Sequence, residues 1–399
     1  MKKHILISSF DLAIGGVERS LIGLLNSIDY SRYDVDLLLF KQEGEFMSFI
    51  PKGPNVLPEI PAYTTFRKSI GEVVKGRQYP IGVGRVLAKY TSSIEGKLKN
   101  IPEPGYLTIQ YGWDFTTPIL PKIEKEYDAA ISFLWPHHFI GTKVKAKKKI
   151  GWIHTDYSNI HVNKKADERV WKKLDHIVAV SDECSRTFTG EFPLLKERTA
   201  VIENILSPSF VREQADLMVP PEIQRRNGRT ILVSVGRLTH AKGFDDAARA
   251  CRLLIDQGYD LEWHIVGYGP LENELKVLIA DLELEDRFFL LGKKVNPYPY
   301  IKACDIYVQP SRYEGKAVTV KEAQILRKPI VITNFPTAKS QVNDGFDGKI
   351  TPTGPEGIAI GIQQMMDNQE LRKQLISNLE AVSYESKAEL NKLYELIES

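Results

Sequence analysis

Hydrophobic residues occur in short runs that alternate with segments of helical periodicity along the whole chain. The first half contains the runs HILISSF, YDVDLLLF, YDAAISFL, KKIGWIH, HIVAVS and TAVIENIL. The first run is followed by a Gly-Gly turn and by VERSLIGLLNSI, whose apolar positions have helical spacing. Continuous apolar runs of this length are typical of strands in a parallel sheet that helices cover on both faces. The pattern predicts an α/β domain.

The same pattern restarts in the second half, at TILVSVGRL, after the polar and Pro-rich segment VPPEIQRRNGR. We interpret residues 206–228 as a linker that leads into a new domain. The later runs are LEWHIVGYG, RFFLLG, DIYVQPS and PIVITN, and the chain closes on helical segments. The openings ILISSFDLAIGGVERSLIGLL and ILVSVGRLTHAKGFDDAARACRLL both have the order strand, glycine-bearing loop, helix.

This organisation predicts two doubly wound, Rossmann-like domains, residues 1–205 and 206–375. A C-terminal helix at 376–399 is expected to pack back on the first domain. Ligands of such sheets bind beyond the carboxyl ends of the strands. We therefore expect the domains to face each other across a cleft that holds the site.

Residues 51–110 interrupt the pattern with many prolines and glycines, and we expect an insertion that contains helices. Its basic residues are Arg67, Lys68, Lys75, Arg77, Arg85 and Lys89. A second basic run extends from Lys143 to Lys149. Such runs are either solvated loops or surfaces attracted to anionic lipid headgroups, and the sequence leaves both interpretations open.

Composition narrows the class of protein. Of 399 residues, 43% are hydrophobic and 26% are charged, as in globular domains, and a net charge of +2 gives no argument for a nucleic-acid partner. The three cysteines stand far apart, which fits a reducing cytoplasm better than a disulfide framework. No segment approaches the roughly 18 apolar residues of a membrane span, and Asp11 interrupts the N-terminal apolar run. We expect a cytoplasmic protein, with peripheral contact at the inner face of the cell membrane left open.

Two segments of the second half carry candidate chemistry. Arg237 and Lys242 lie on a loop between a predicted strand and a predicted helix, where two cations and free helix N–H groups suit a diphosphate. Glu314 follows the run DIYVQPS, and Glu322 lies eight positions later, in a helix expected to begin near 316–318. Carboxylates at those places can accept hydrogen bonds from the hydroxyls of a sugar and a ribose. The alternatives are a solvated basic loop, a turn residue and a surface helix charge.

These segments together resemble the retaining GT-B glycosyltransferases of family 4 (glycosyl transferases group 1). The resemblance rests on VGRL with KGFDDA, VGYGPLENEL, PSRYEG and the E-x7-E spacing, and in the first half on GGVERSL, WIHTD, VAVSDECS and VIENIL. It covers nearly the whole chain except 51–110. The family often has Glu-Gly-Phe-Gly where this chain has EGKAVTV, so the donor sugar stays open.

The resemblance implies a role for each matching position. Arg237 and Lys242 would bind the donor diphosphate, Glu322 the nucleotide ribose, and Glu314 the donor sugar near its reacting carbon. His154 would bind and orient the sugar on the acceptor side, and with Arg237, Lys242 and Glu314 it forms the expected catalytic set. Gly15 and Gly16 would allow close backbone approach to the acceptor, and Gly16 also to the donor. The remaining expected donor contacts are Gly267, Tyr268, Gly269, Gly315, Lys316, Ala317 and Val318.

The implied reaction is retaining transfer of a sugar from a nucleoside diphosphate sugar, expected to be a UDP-sugar, without a metal or other cofactor. The implied acceptor is a hydroxyl of a cell-envelope glycan, a polysaccharide or a lipid-linked intermediate. Two other functions remain open: a non-catalytic nucleotide-sugar-binding or chaperone subunit of a glycosylation complex, and a GT-B nucleotide-sugar epimerase.

Other motifs are weaker. Asp34 and Asp36 form a DxD, but they precede an apolar run, so we interpret them as the polar entry of a strand. GYGPLE lacks the third glycine of a dinucleotide fingerprint. His137, His138 and the nearby His154 and His161 have no standard zinc spacing, and the chain has no P-loop motif.

Overall fold

The computed structural model describes residues 2–101, 104–223 and 228–399, without the side chain of Asn159. It divides into two compact units. Unit 1 comprises Met1–Leu206 with Ser386–Ser399, and unit 2 comprises Ser207–Glu385. Each unit is a parallel sheet with helices, so the predicted α/β class with two Rossmann-like domains is confirmed.

The elements alternate along the chain as the hydrophobic runs predict. The strands are β1 (Lys3–Ser9), β2 (Tyr33–Leu39), β3 (Asn55–Val56), β4 (Glu126–Ser132), β5 (Lys145–Ile153), β6 (His176–Ala179), β7 (Thr199–Val201), β8 (Thr230–Val235), β9 (Leu261–Val266), β10 (Phe288–Leu290), β11 (Ile306–Gln309), β12 (Ile330–Thr333) and β13 (Lys349–Thr351). The helices are α1 (Gly16–Leu25), α2 (Pro61–Thr64), α3 (Ile70–Lys75), α4 (Tyr79–Leu98), α5 (Gly105–Thr116), α6 (His138–Lys143), α7 (Lys164–Trp171), α8 (Asp182–Glu191), α9 (Pro208–Ala215), α10 (Phe244–Asp256), α11 (Glu272–Asp281), α12 (Tyr298–Ala303), α13 (Val318–Ile325), α14 (Pro355–Asp367), α15 (Gln369–Ala381) and α16 (Lys387–Glu398).

Both sheets have the same doubly wound order. Unit 1 is ordered β3-β2-β1-β4-β5-β6-β7, and unit 2 is ordered β10-β9-β8-β11-β12-β13, with all strand pairs parallel. In each sheet the winding reverses direction beside the first strand, between β1 and β4 and between β8 and β11. Loops that leave neighbouring strands toward opposite faces open a crevice at that switch point.

The predicted helical insertion packs on unit 1 through aromatic rings. Trp113 of α5 is fully buried, and its ring centroid lies 6.1 Å from that of Phe10 and 5.5 Å from that of Phe40. The Phe66 ring stacks on Trp113 at 3.9 Å. Burial of each large side chain stabilises the fold by about 1.5–3 kcal/mol, so this cluster holds α2–α5 against the sheet.

The C-terminal region does not form the single helix that was expected at 376–399. Residues 376–381 end α15 in unit 2, and only α16 packs on unit 1. The Tyr394 ring stacks on Tyr33 at a centroid distance of 4.7 Å, and the Glu398 carboxylate accepts hydrogen bonds from Tyr33 (2.6 Å) and Arg32 (2.7 Å). Residues 382–386 interrupt the apolar spacing, and this break ends α15.

The boundary between the two units falls at the start of the expected linker. The units divide between Leu206 and Ser207, and the expected linker at 206–228 includes α9, while its residues 224–227 lie outside the described part. All three cysteines are buried free thiols. Within the described ranges, the helices are all too short or too polar to cross a bilayer.

Candidate functional site

Two loops meet at the switch point of unit 2. The first follows β8 and carries Arg237 and Lys242, and the second follows β11 and carries Glu314. The backbone N–H of Arg312 donates to the carbonyl of Ala241 at 2.8 Å, which ties the second loop to the first. The carboxyl edge of the sheet thus gathers charged residues that are distant in sequence.

Gly243 is the residue that lets the first loop turn into α10. Its backbone is left-handed (φ 66°, ψ 28°), and a Cβ there would lie 2.2 Å from the carbonyl oxygen of Pro310. An L side chain is disfavoured in that conformation, and the space is already occupied by the second loop. Glycine therefore sets the position of Lys242 relative to the loop after β11.

Lys242 and Glu314 form an ion pair. The Glu314 side chain is 10% exposed, and its Oε1 atom accepts from the Lys242 ammonium. The same oxygen accepts from Ser311 Oγ (2.7 Å) and Gln309 Nε2 (3.1 Å). Three donors on one oxygen hold the carboxylate in a single orientation, and the cation offsets the cost of its burial.

Further polar groups support this pair. The Thr337 hydroxyl donates to the Glu314 carbonyl at 2.9 Å, and Gln341 Nε2 donates to Thr337 Oγ1 at 3.1 Å. Tyr307 donates to the Gln309 side-chain oxygen at 2.7 Å. The sequence did not indicate these residues, because isolated hydroxyl and amide side chains near strand ends form no recognisable sequence pattern.

The sequence analysis also did not single out Arg312, although this residue lies in the segment PSRYEG. Its guanidinium pairs with Asp245 (2.7 Å) and Asp246 (2.6 Å) in the first turn of α10, and it donates to the His240 carbonyl at 2.9 Å. The cation therefore has a structural role, which is to clamp the two loops. The sequence signal for it is the adjacent pair of aspartates after Gly243.

Glu322 lies on α13 with none of its surface exposed. This excludes the alternative of a surface helix charge. The helix begins at Val318, within the expected range, and the N–H of Ala317 donates to Gln341 Oε1 at 2.8 Å. Gly315 and Lys316 are half-buried in the loop before it.

Arg237 is not in contact with the ion pair. Its side chain is exposed and makes no hydrogen bond or ion pair with any residue that the structure describes. It stands on the same loop as Lys242, with its charge available to a ligand.

The loop after β9 packs against the loop after β8 so closely that its glycines are required by the fold. A Cβ on Gly267 would lie 1.8 Å from the carbonyl oxygen of Gly236, and one on Gly269 would lie 2.4 Å from that of Leu238. The N–H of Leu238 donates to the Tyr268 carbonyl at 2.9 Å, and Tyr268 is 37% exposed. These predicted donor contacts therefore also shape the loop that carries Arg237.

In unit 1, the predicted glycines lie at the start of α1, beside the switch strand β1. A Cβ on Gly15 would meet the Glu18 carboxylate at 2.1 Å, whereas one on Gly16 would meet nothing within 4 Å. Gly16 is exposed and is the first residue of the helix. The described residues do not themselves require a glycine at 16, so any such requirement would come from a ligand.

His154 follows β5 in the same sheet. Its ring is hydrogen-bonded to the backbone of Phe133, and its Nε2 is buried without a partner among the described residues. Burial lowers the pKa of His154 to about 3, so the imidazole is neutral at pH 7. With Nδ1–H donating to the Phe133 carbonyl, Nε2 keeps a lone pair that can accept a hydrogen bond from a hydroxyl.

We expect this histidine to contribute to acid sensitivity. The unfolded chain takes up a proton near the ordinary histidine pKa of about 6.5, and the folded chain only near 3, so folding stability is lost as the pH falls between these values. Urea unfolding of His154→Gln should therefore show a smaller loss of stability between about pH 7 and pH 4.5 than the parent protein. An identical loss in both proteins would contradict the burial of a neutral His154.

An acidic pair near Gly16 was not predicted. Burial, reinforced by the charge of Asp11, raises the pKa of Glu18 to about 7. Arg67 Nε lies 2.5 Å from Asp11 Oδ2, so the insertion supplies a cation to this end of the sheet. Neither Asp11 nor Glu18 belongs to a sequence pattern that would indicate this pair.

The weaker motifs have structural roles. Asp36 lies inside β2 and accepts hydrogen bonds from Lys125 (2.7 Å), Tyr127 (2.8 Å) and Asn55 (2.8 Å). His137 is hydrogen-bonded to Ser132 at 2.7 Å. Among the described residues, no group of three or more His, Cys, Asp or Glu side chains has the arrangement of a metal site.

Solved structures of known proteins have a fold similar to that of this chain. A point mutant of S. aureus TarM, solved with fondaparinux, alpha-GlcNAc-glycerol and UDP, is similar over 100% of both chains, with 15% identity and a TM-score of 0.68. Anabaena HepE in complex with UDP and glucose is similar over 99% of both chains, with 16% identity and a TM-score of 0.66.

Sequence comparison matches part of the chain. An alpha-D-kanosaminyltransferase of Streptomyces kanamyceticus is 26% identical over 54% of this chain and 58% of its own. The N-acetylgalactosamine-N,N'-diacetylbacillosaminyl-diphospho-undecaprenol 4-alpha-N-acetylgalactosaminyltransferase of Campylobacter jejuni is 25% identical over 54% of this chain and 57% of its own. The chain thus spans a little over half the length of these curated relatives. Residues 219–382 match the sequence profile of the family described as Glycosyl transferases group 1. The chain therefore has the GT-B fold, and most of its second unit has the sequence pattern of that family.

Proposed function

We propose that this chain is a retaining glycosyltransferase that transfers a sugar from a UDP-sugar to a hydroxyl of a cell-envelope glycan or lipid-linked intermediate. The observation that carries the proposal is the Lys242–Glu314 ion pair at the switch point of unit 2, with the unpaired cation Arg237 on the same loop. The match of residues 219–382 to glycosyl transferases group 1 supports it. UDP is chosen because TarM and HepE were both solved with that nucleotide.

Arg237 and Lys242 would hold the diphosphate. Transfer breaks the bond between the sugar carbon and a phosphate oxygen, so negative charge on the diphosphate increases in the transition state. A cation already positioned there, as Lys242 is by Glu314, binds the transition state more strongly than the ground state, which lowers the barrier. We propose that these two cations make a metal unnecessary.

Glu314 would recognise hydroxyls of the donor sugar. Three donors share its Oε1, so its orientation is fixed before a ligand arrives. A carboxylate held by charge-assisted bonds is a weakened nucleophile, so we favour front-face attack by the acceptor hydroxyl over a glycosyl–Glu314 intermediate. A diphosphate oxygen would take the acceptor proton as the new bond forms. Buried Glu322 would hold the ribose.

In unit 1, neutral His154 would accept a hydrogen bond from a sugar hydroxyl through Nε2, and exposed Gly16 would let a ligand approach the start of α1. A lipid-linked acceptor is proposed because the Campylobacter relative is named for an undecaprenol diphosphate substrate. The sugar to be transferred is left to experiment, since Lys316 and Ala317 replace residues common in the family.

A panel of nucleotide sugars tests the proposal by thermal shift and by release of free sugar. Ligands that bind only the folded state raise the melting temperature, by an amount that corresponds to about 2.7 kcal/mol at one hundred times Kd. We expect a UDP-sugar to give the largest shift, Arg237→Ala to abolish it, and Arg249→Ala, on α10, to retain it. Sugar release should persist in EDTA. A shift unchanged in Arg237→Ala would remove that residue from the site, and binding without any sugar release would favour a non-catalytic binder.

A further inference from the structure

Helix α4 carries a row of large apolar side chains on its outer surface. Each is between 42% and 80% exposed, and together they are Tyr79, Val83, Val86, Leu87, Tyr90, Ile94 and Leu98. Their spacing of three and four positions places them on one face of the helix. We call this row the α4 face.

The opposite side of α4 is the side that packs against the protein. Gly84, Ala88, Ser92 and Gly96 are buried, and this side of α4 packs against α5. Small residues let the two helices approach closely. Apart from Ile81, which is buried, the large apolar residues of α4 are left outside, which is the reverse of an ordinary surface helix.

The apolar surface is concentrated here and not scattered over the molecule. Of the 22 exposed large hydrophobic residues described, 12 lie between Val74 and Ile119, including Tyr106, Ile109 and Phe115 around α5. Single exposed apolar side chains are normal, but a contiguous patch marks a binding surface.

The same segment is strongly basic. Residues 67–99 contain eight arginines and lysines against two glutamates, a surplus of positive charge larger than the +2 of the whole chain. Lys75 and Arg77 precede α4 and Lys97 lies in its last turn, whereas Lys99 after it is paired with Glu95 at 2.6 Å. Basic residues at both ends of an apolar face can reach lipid phosphates while the face enters the acyl region.

We propose that the α4 face docks this protein on an anionic lipid bilayer, with the helix lying in the plane of the interface. At 20 residues the helix is about 30 Å long, and its two tyrosines are side chains that favour the headgroup region. A second copy of the chain is a poorer occupant, because two such faces would bring their positive charges together. The inference does not depend on sugar transfer, since docking needs no donor.

The run Lys143–Lys149 is a poorer candidate for the same contact. Its exposed members Lys145 and Lys147 pair with Glu126 (3.5 Å) and Asp128 (2.8 Å) on the neighbouring strand β4. Their charge is thereby partly neutralised, and no apolar patch accompanies it among the exposed residues of β5.

Sedimentation of the full chain with vesicles tests the proposal. Vesicles of mixed phosphatidylglycerol and phosphatidylcholine should bind the protein, and salt should weaken the binding. Val83→Glu should lower the partition coefficient by about tenfold or more, because it adds a negative charge to the apolar face. The matched control is Val277→Glu on α11, since Val83 and Val277 are 59% and 61% exposed; it should bind like the parent. Both variants should keep the parent melting temperature.

A second measurement reports insertion. Tyr90→Trp should show a blue-shifted and enhanced tryptophan emission on addition of the anionic vesicles. Three results would overturn the proposal: no vesicle binding by the parent protein, equal binding by Val83→Glu, or loss of binding in Lys145→Ser/Lys147→Ser but not in Val83→Glu. A parent protein that ignores vesicles but dimerises, with Val83→Glu monomeric, would assign the face to a second copy.

Discussion

Lys242→Ala is expected to lower donor turnover, measured as kcat, by about 10²- to 10³-fold, equivalent to about 2.7–4 kcal/mol of transition-state stabilisation. The loss has two sources. The departing diphosphate loses a cation, and buried Glu314 loses the charge that holds its carboxylate.

The measurement is initial-rate kinetics of UDP-sugar consumption at saturating donor, with circular dichroism and thermal melting to verify folding. Lys276→Ala is the matched control: Lys276 also pairs with a glutamate, Glu272, but on the exposed surface of α11. Exposed pairs contribute about 0–1 kcal/mol, so this variant should be close to the parent in both rate and stability. A folded Lys242→Ala protein within threefold of the parent rate would contradict the proposed role.

Gly243→Ala is expected to destabilise unit 2 by about 3 kcal/mol or more. The left-handed conformation alone costs an L residue about 1–2 kcal/mol. The added methyl group would also lie 2.2 Å from the Pro310 carbonyl, which forces one of the two loops to move. Because that movement displaces Lys242 from Glu314, activity should fall together with stability.

Gly258→Ala separates the two contributions. Gly258 also has a positive φ, of 89°, but a Cβ there meets nothing within 4 Å. Denaturant unfolding should therefore show a loss of only about 1–2 kcal/mol for Gly258→Ala, clearly less than for Gly243→Ala. Equal losses would show that the backbone conformation, and not the contact with Pro310, is decisive.

The regular elements were largely predictable, because their signal is local. Runs such as HILISSF and TILVSVGRL became β1 and β8, and the helix after Glu314 begins at Val318. The two- and three-residue strands β3 and β13 were missed, since they contribute too few apolar positions to form a run. The C-terminal helix that packs on unit 1 was expected from residue 376, but it begins at Lys387, because residues 376–381 belong to α15.

The candidate site was predictable in part. The pattern of loops after strands placed Lys242 and Glu314 at one sheet edge, and the structure joins them in an ion pair. The sequence could not show that Glu322 is fully buried, or that Arg237 makes no contact with the Lys242–Glu314 pair. The clamp formed by Arg312 depends on contacts between distant segments, which a single sequence does not reveal.

By itself, the sequence determined which residues form strands and helices, and which charged residues follow the strands, since both depend on neighbours along the chain. Tertiary structure alone decided which of those residues touch and which face water. The α4 face shows the difference: an apolar stripe at helical spacing predicts a buried surface, and only the small residues packed on α5 show that this stripe points outward. Burial is a property of the packed chain, because it is fixed by which second surface each helix face meets.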